Sequence, residues 1–185
     1  DQVGFRKVEN IPSKLVEEKN ILRGSSTEYS IAKKRLKEYH QGELYRIENL
    51  GLPKEEKKLL IDELNKRNKA YIEGKIENFS FSHTKVRKSS ETFQGEDIFS
   101  AYKVDKNGGI NTPGSWIRNA DTEYVMLSEI ARDLGAKSGK VYPDLHGEIK
   151  LVSELPYCMS CQGVIQDFST MFPNVKIVLI DNLKY

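Results

Sequence analysis

Cysteine is scarce in this chain: 185 residues hold only Cys158 and Cys161, beside one tryptophan and three histidines. Two thiols cannot build a disulfide scaffold, and a bridge between positions this close would shut a tiny loop and stabilise little. A redox pair or a metal site remains. No apolar run approaches the length of a membrane span, and no signal peptide is visible at the N-terminus. Internal repeats and low-complexity segments are also missing. Beginning at Asp1 rather than at a methionine, the chain reads as a fragment or a processed product.

Hydrophobic residues at 38% suffice for one core, and charged residues at 30% predict a soluble protein. The length fits one domain, or a small domain with a helical extension. Charge is unevenly spread. Residues 1–88 carry 20 Lys/Arg against 14 Asp/Glu, a net of +6, and residues 89–185 carry 9 against 13, a net of −4. A basic half beside an acidic half suits an anionic partner such as nucleic acid. A lysine-rich, solvated helical surface would give the same numbers.

Residues 13–75 read as helical. Ser25–Glu28, "SSTE", has the form of a capping box, and Tyr29, Ile31, Ala32, Leu36 and Tyr39 follow at helical spacing. Gly51 stops that segment, and Pro53 opens another with Leu59, Leu60, Leu64 and Tyr71 as its apolar face. After Gly74 the pattern changes. Strands are predicted near 77–86 and near 97–104, followed by a Gly/Asn/Pro-rich loop. "DTEYVMLSEIARDLG" predicts an amphipathic helix with Tyr124, Leu127, Ile130, Ala131 and Leu134 buried and Gly135 as its C-cap. "GEIKLVSEL" reads as a strand, "CMSCQGVIQDFSTMF" as a helix, and "VKIVLID" as a strand central in a covered sheet. The fold class is therefore α/β. A β-β-α-β-α-β core holds a mixed sheet covered by helices, behind a helical N-terminal region, and its crossovers are right-handed.

Cys158 and Cys161 fall at the start of a helix, directly after a strand. A helix N-terminus favours thiolate over thiol, and at i and i+3 both sulfurs face one way. Two thiolates so placed suit zinc. A catalytic zinc needs a third protein ligand. The helix opening with Asp121-Thr122-Glu123 supplies it if the two helices lie side by side on one sheet face. Asp121 would then reach the metal, and Glu123 would face the water that the metal activates.

In these residues the sequence resembles the zinc-dependent nucleobase deaminases of the cytidine-deaminase-like superfamily, whose pattern is H-x-E at one helix start and P-C-x-x-C at the next. D-T-E at 121–123 and P-Y-C-M-S-C at 156–161 correspond, and the likeness spans roughly residues 77–181. It is greatest to the toxin-deaminase branch, the warheads of bacterial polymorphic toxins, carried by "DTEYVMLSEIARDLG" and "SELPYCMSCQGVIQDFSTMFPNVKI". Two departures stand out. Asp replaces the usual His ligand, and Tyr157 is inserted between the proline and the first cysteine. A second H-x-E, His146–Glu148, contains the histidine nearest the signature. It starts the strand that ends beside the cysteines, too far from them to share a metal at about 3.3 Å per residue.

The resemblance implies a helical region over 1–75 and a catalytic domain over 76–185. It implies Zn2+ held by Asp121, Cys158 and Cys161, with Glu123 as catalytic base and then acid. Substrate-binding candidates are Asn111, Trp116 and Asn119 in the loop before the helix, with Thr122, Ser153 and His83. The implied reaction is deamination of cytosine to uracil in DNA, on a single strand or a flipped base. Adenine, RNA or a free nucleoside stay open as substrates, and so does a non-catalytic nucleic-acid-binding or redox module. The implied setting is a secreted bacterial effector acting in the target-cell cytoplasm, countered by an immunity protein, with no membrane partner.

Overall fold

A computed structural model describes residues 20–82, 87–88, 93–99, 103–104, 113, 116–117, 122–157 and 159–183. The chain opens with a short strand β1 (Ile21–Arg23), then two helices, α1 (Ser26–Glu48) and α2 (Lys54–Lys66). The capping box forms as its spelling predicts: Ser25 Oγ accepts from Glu28 N–H, and Glu28 Oε1 accepts from Ser25 N–H. Two otherwise orphaned backbone donors are satisfied there.

Next come β2 (Lys69–Ile76), β3 (Phe79–Ser82), β4 (Arg87–Lys88), β5 (Lys103–Val104) and β6 (Trp116–Ile117). They are followed by α3 (Thr122–Asp133), β7 (Gly147–Ser153), α4 (Met159–Met171) and β8 (Val175–Ile180). The main sheet runs β3-β2-β7-β8-β1, with β4 pairing β2. Pairing is parallel for β7–β8 and β8–β1, and antiparallel for β7–β2 and β2–β3, so the sheet is mixed as expected. The β7-α4-β8 unit is the parallel crossover that the pattern predicts.

Alternation along the strands sorts the core into two. Ala70, Ile72, Ile149, Leu151, Ile177 and Leu179 face α3 and α4. Tyr71, Val152, Val178 and Ile180 face Ala32 and Leu36 of α1 on the other side. A period of two sends neighbours to opposite faces, so both faces must be apolar when both are covered. The helix at 122–133 is buried nearly all round, and Gly135 ends it at φ +76° with Ala136 N–H reaching back to the Ala131 carbonyl. That is the left-handed C-cap that glycine permits.

The structure corrects several expected elements. Residues 21–23 are a strand, whereas 13–75 reads as helical; residues 13–19 lie outside the described residues. The helix from Pro53 ends at Lys66, and 69–76, read as its continuation, is the strand β2 in the middle of the sheet. Two strands of the sheet thus come from the first 76 residues. The strand near 77–86 is β3, over 79–82, and 83–86 lie outside the described residues. Of the strand near 97–104, only Lys103–Val104 is extended among the described residues, and it pairs with β6 in a separate two-stranded sheet.

Candidate active site

The starts of α3 and α4 meet on one sheet face, beyond the carboxyl end of β7. Glu123 is the second residue of α3, and Cys161 the third of α4. The Cys161 thiol donates to Glu123 Oε2 at 3.0 Å. Both are shut from water, with Glu123 2% and Cys161 3% exposed. A carboxylate with so little solvent needs compensation, and it has it. Asn68 Nδ2 donates to Glu123 Oε1 at 3.0 Å, and the positive end of α3 lies beneath the group.

Asn68, in the link between α2 and β2, has no counterpart in the sequence pattern. Its Nδ2 also reaches Ser153 Oγ at 3.1 Å, and its Oδ1 accepts from Leu155 N–H at 3.1 Å. Ser153 Oγ donates to the Leu155 carbonyl at 2.8 Å. The only local hint was an asparagine just before the apolar run 70–72.

The inserted Tyr157 is absorbed as an anchor. Its side chain is buried, and its hydroxyl donates to the Leu151 carbonyl at 2.6 Å and accepts from Ile180 N–H at 3.2 Å. It therefore plugs the carboxyl ends of β7 and β8. Its backbone N–H donates to Asp181 Oδ2 at 3.0 Å, while Asp181 Oδ1 pairs with Arg23. Burial, then the charges of Asp181 and Glu123, hold the phenol well above its ordinary range, so it stays a neutral hydrogen-bonding group.

Of the expected site residues, the fold brings Glu123, Thr122, Ser153 and Cys161 together. Thr122 opens α3 and is buried, and its Oγ1 has no hydrogen-bond partner among the described residues. Ser153 ends β7, and its hydroxyl is engaged with Asn68 and Leu155. Trp116 lies in β6, opposite Val104. Asp121, Cys158, Asn111, Asn119 and His83 lie outside the described residues. His146 precedes the opposite end of β7, where it exchanges hydrogen bonds with Glu77.

Among the described residues no group of three His, Cys, Asp or Glu could hold a metal. Of the expected ligands Cys161 is described, and its setting fits zinc: a buried thiol at a helix start, with the expected base Glu123 beside it and not in the ligand set.

No curated protein and no solved structure matches the chain. A family model does, over residues 53–183, which takes in α2 and everything from β2 to β8. The matched range includes the starts of α3 and α4 with Glu123 and Cys161, and on this match across most of its length the chain belongs to the Toxin-deaminase family, the BURPS668_1122 family of deaminases.

Proposed function

We propose that the protein is a zinc-dependent hydrolase that deaminates cytosine to uracil in DNA, as the toxic domain of a bacterial effector. The observation that carries this reading is the 3.0 Å contact between Glu123 Oε2 and Cys161 Sγ, buried where two helix N-termini converge, in a chain of a deaminase family. Asp121, Cys158 and Cys161 would hold the metal. A bound zinc ion would supply Lewis-acid activation of the attacking water.

The rest of the chemistry belongs to the chain. Water adds to the amine-bearing ring carbon, the carbon–nitrogen bond breaks, and ammonia leaves. Glu123 takes a proton from the water and gives it to the ring nitrogen. It then delivers the second proton to the departing amine, as base and then acid. Burial of Glu123 excludes competing solvent. Asn111, Trp116, Asn119, Thr122, Ser153 and His83 are the proposed substrate contacts, and the base reaches them from a single strand or flipped out of a duplex. Basic residues of the first half would engage backbone phosphates, which makes binding salt-sensitive. The effector would act in the cytoplasm of a target cell and be neutralised by an immunity protein.

The test is direct. The zinc-loaded protein is incubated with single-stranded DNA, double-stranded DNA, RNA and free nucleosides, and products are read by sequencing and chromatography. Uracil appearing in DNA supports the reading. Deamination confined to adenine, RNA or nucleosides moves the substrate assignment. No ammonia from any substrate, together with a reversible Cys158–Cys161 disulfide, replaces it with a redox module.

A further inference from the structure

Among the described residues, Asn68 joins the carboxylate on α3 to the turn leading into α4. We infer that Asn68 is a positioning residue for the deamination. It holds Glu123 Oε1 so that only Oε2 is left to exchange protons, and it sets the carboxylate against the cysteine-bearing turn. This inference rests on the proposed role of Glu123.

The amide's orientation follows from its partners. The Leu155 backbone N–H can only donate, so it must meet Oδ1, and this turns Nδ2 toward Glu123. Both of its amide hydrogens are then used. One Nδ2 hydrogen goes to Glu123 Oε1 and the other to Ser153 Oγ, while Oδ1 takes the Leu155 N–H. The adjacent Lys69 carbonyl accepts from Glu154 N–H at 2.8 Å, so the backbone beside Asn68 is itself tied to the 153–155 turn. Two residues past Leu155, Tyr157 is pinned to β7 and β8. A carboxylate held by Asn68 through Oε1 keeps Oε2 in a fixed place on the Cys161 side, and general acid–base catalysis depends on that placement.

Asn68→Asp separates the two jobs. One oxygen of the introduced carboxylate still accepts from Leu155 N–H, while the other faces Glu123 Oε1 and repels it. Tyr157→Phe serves as the comparison, because it loosens the same turn without touching Glu123. The readouts are kcat and KM on a single-stranded deoxycytidine-containing oligonucleotide, zinc per chain and Tm. Asn68→Asp is expected to lose about 10- to 100-fold in kcat with KM and zinc content near wild type. Tyr157→Phe is expected to lower Tm at least as far and keep kcat within about threefold. The inference is overturned if Asn68→Asp keeps its kcat, or if Tyr157→Phe loses as much kcat as Asn68→Asp. A second readout is independent of turnover. The Asn68 side-chain amide resonance, assigned by its loss in Asn68→Asp, should shift in Glu123→Gln; an unmoved resonance overturns the inference. Wild-type protein that deaminates nothing, with that resonance shifting as expected, sinks the deaminase reading and leaves the contact standing.

Discussion

The Tyr157 backbone N–H donates to Asp181 Oδ2, so the residue before the first cysteine is fastened to the residue after the last strand. Arg23 of β1 pairs with the other Asp181 oxygen. Three segments far apart in sequence therefore hold one turn, and the start of α4 is built on it.

Tyr157→Phe removes the hydroxyl that serves both Leu151 and Ile180. The two backbone groups stay buried and lose that hydroxyl's hydrogen bonds. Unfolding in urea should show a loss of about 1–3 kcal/mol. A variant as stable as wild type would mean that the hydroxyl anchors nothing.

Glu123→Gln keeps the shape and an acceptor for Asn68 but cannot carry a proton. Turnover should fall about 10²- to 10⁴-fold, the range of general acid–base catalysis. Zinc content and Tm should stay near wild type. Retained ammonia release would remove Glu123 from the chemistry.

Cys161→Ala takes away a proposed metal ligand and leaves Glu123 Oε2 without its thiol donor. Zinc measured by elemental analysis should drop from about one ion per chain to well below half, because a zinc site loses its closed geometry with a ligand gone. Full zinc retention in this variant would place the metal elsewhere.

His40 on α1 supplies a pH test. Burial first, and then the Lys69 charge, lower its affinity for a proton below the ordinary 6.5, with Glu154 opposing them. The unfolded chain then takes up a proton before the folded one. Stability from this residue is full above pH 6.5 and declines as pH falls toward the lowered folded value. His40→Gln should flatten the stability-against-pH curve below 6.5 in chemical denaturation, and an unchanged slope would refute the linkage.

Glycine sets the close approach of β2 and β7. A Cβ on Gly147 would stand 2.1 Å from the Lys75 carbonyl oxygen, and one on Gly74 2.2 Å from that of Glu148. Those atoms are backbone in paired strands, so neither can swing aside. Gly147→Ala should cost about 3 kcal/mol or more, among the large single-substitution losses. A mild loss, seen as a Tm within a degree or two, would show that the two strands can part.

Elements whose signals are local were legible in the sequence. The Ser25/Glu28 box, the apolar stripe from Tyr124, the Gly135 cap and the apolar run 175–180 each lie within a few residues. Strand β2 was not. Covered on both faces, Ala70, Tyr71 and Ile72 form an unbroken apolar run, and Tyr71 also falls at helical spacing from Leu64. The strand β1 is three residues long, too short for any period to show.

By itself the sequence determined the α/β class and the two helices that carry Glu123 and Cys161. Only the tertiary structure decided that Glu123 and Cys161 touch and that Tyr157 seals the ends of β7 and β8. It alone brought in Asn68, whose partners lie 55 and 85 positions away. Local periodicity reports which face a side chain takes, whereas a hydrogen bond across such separations exists only once the sheet has paired and set its helices side by side.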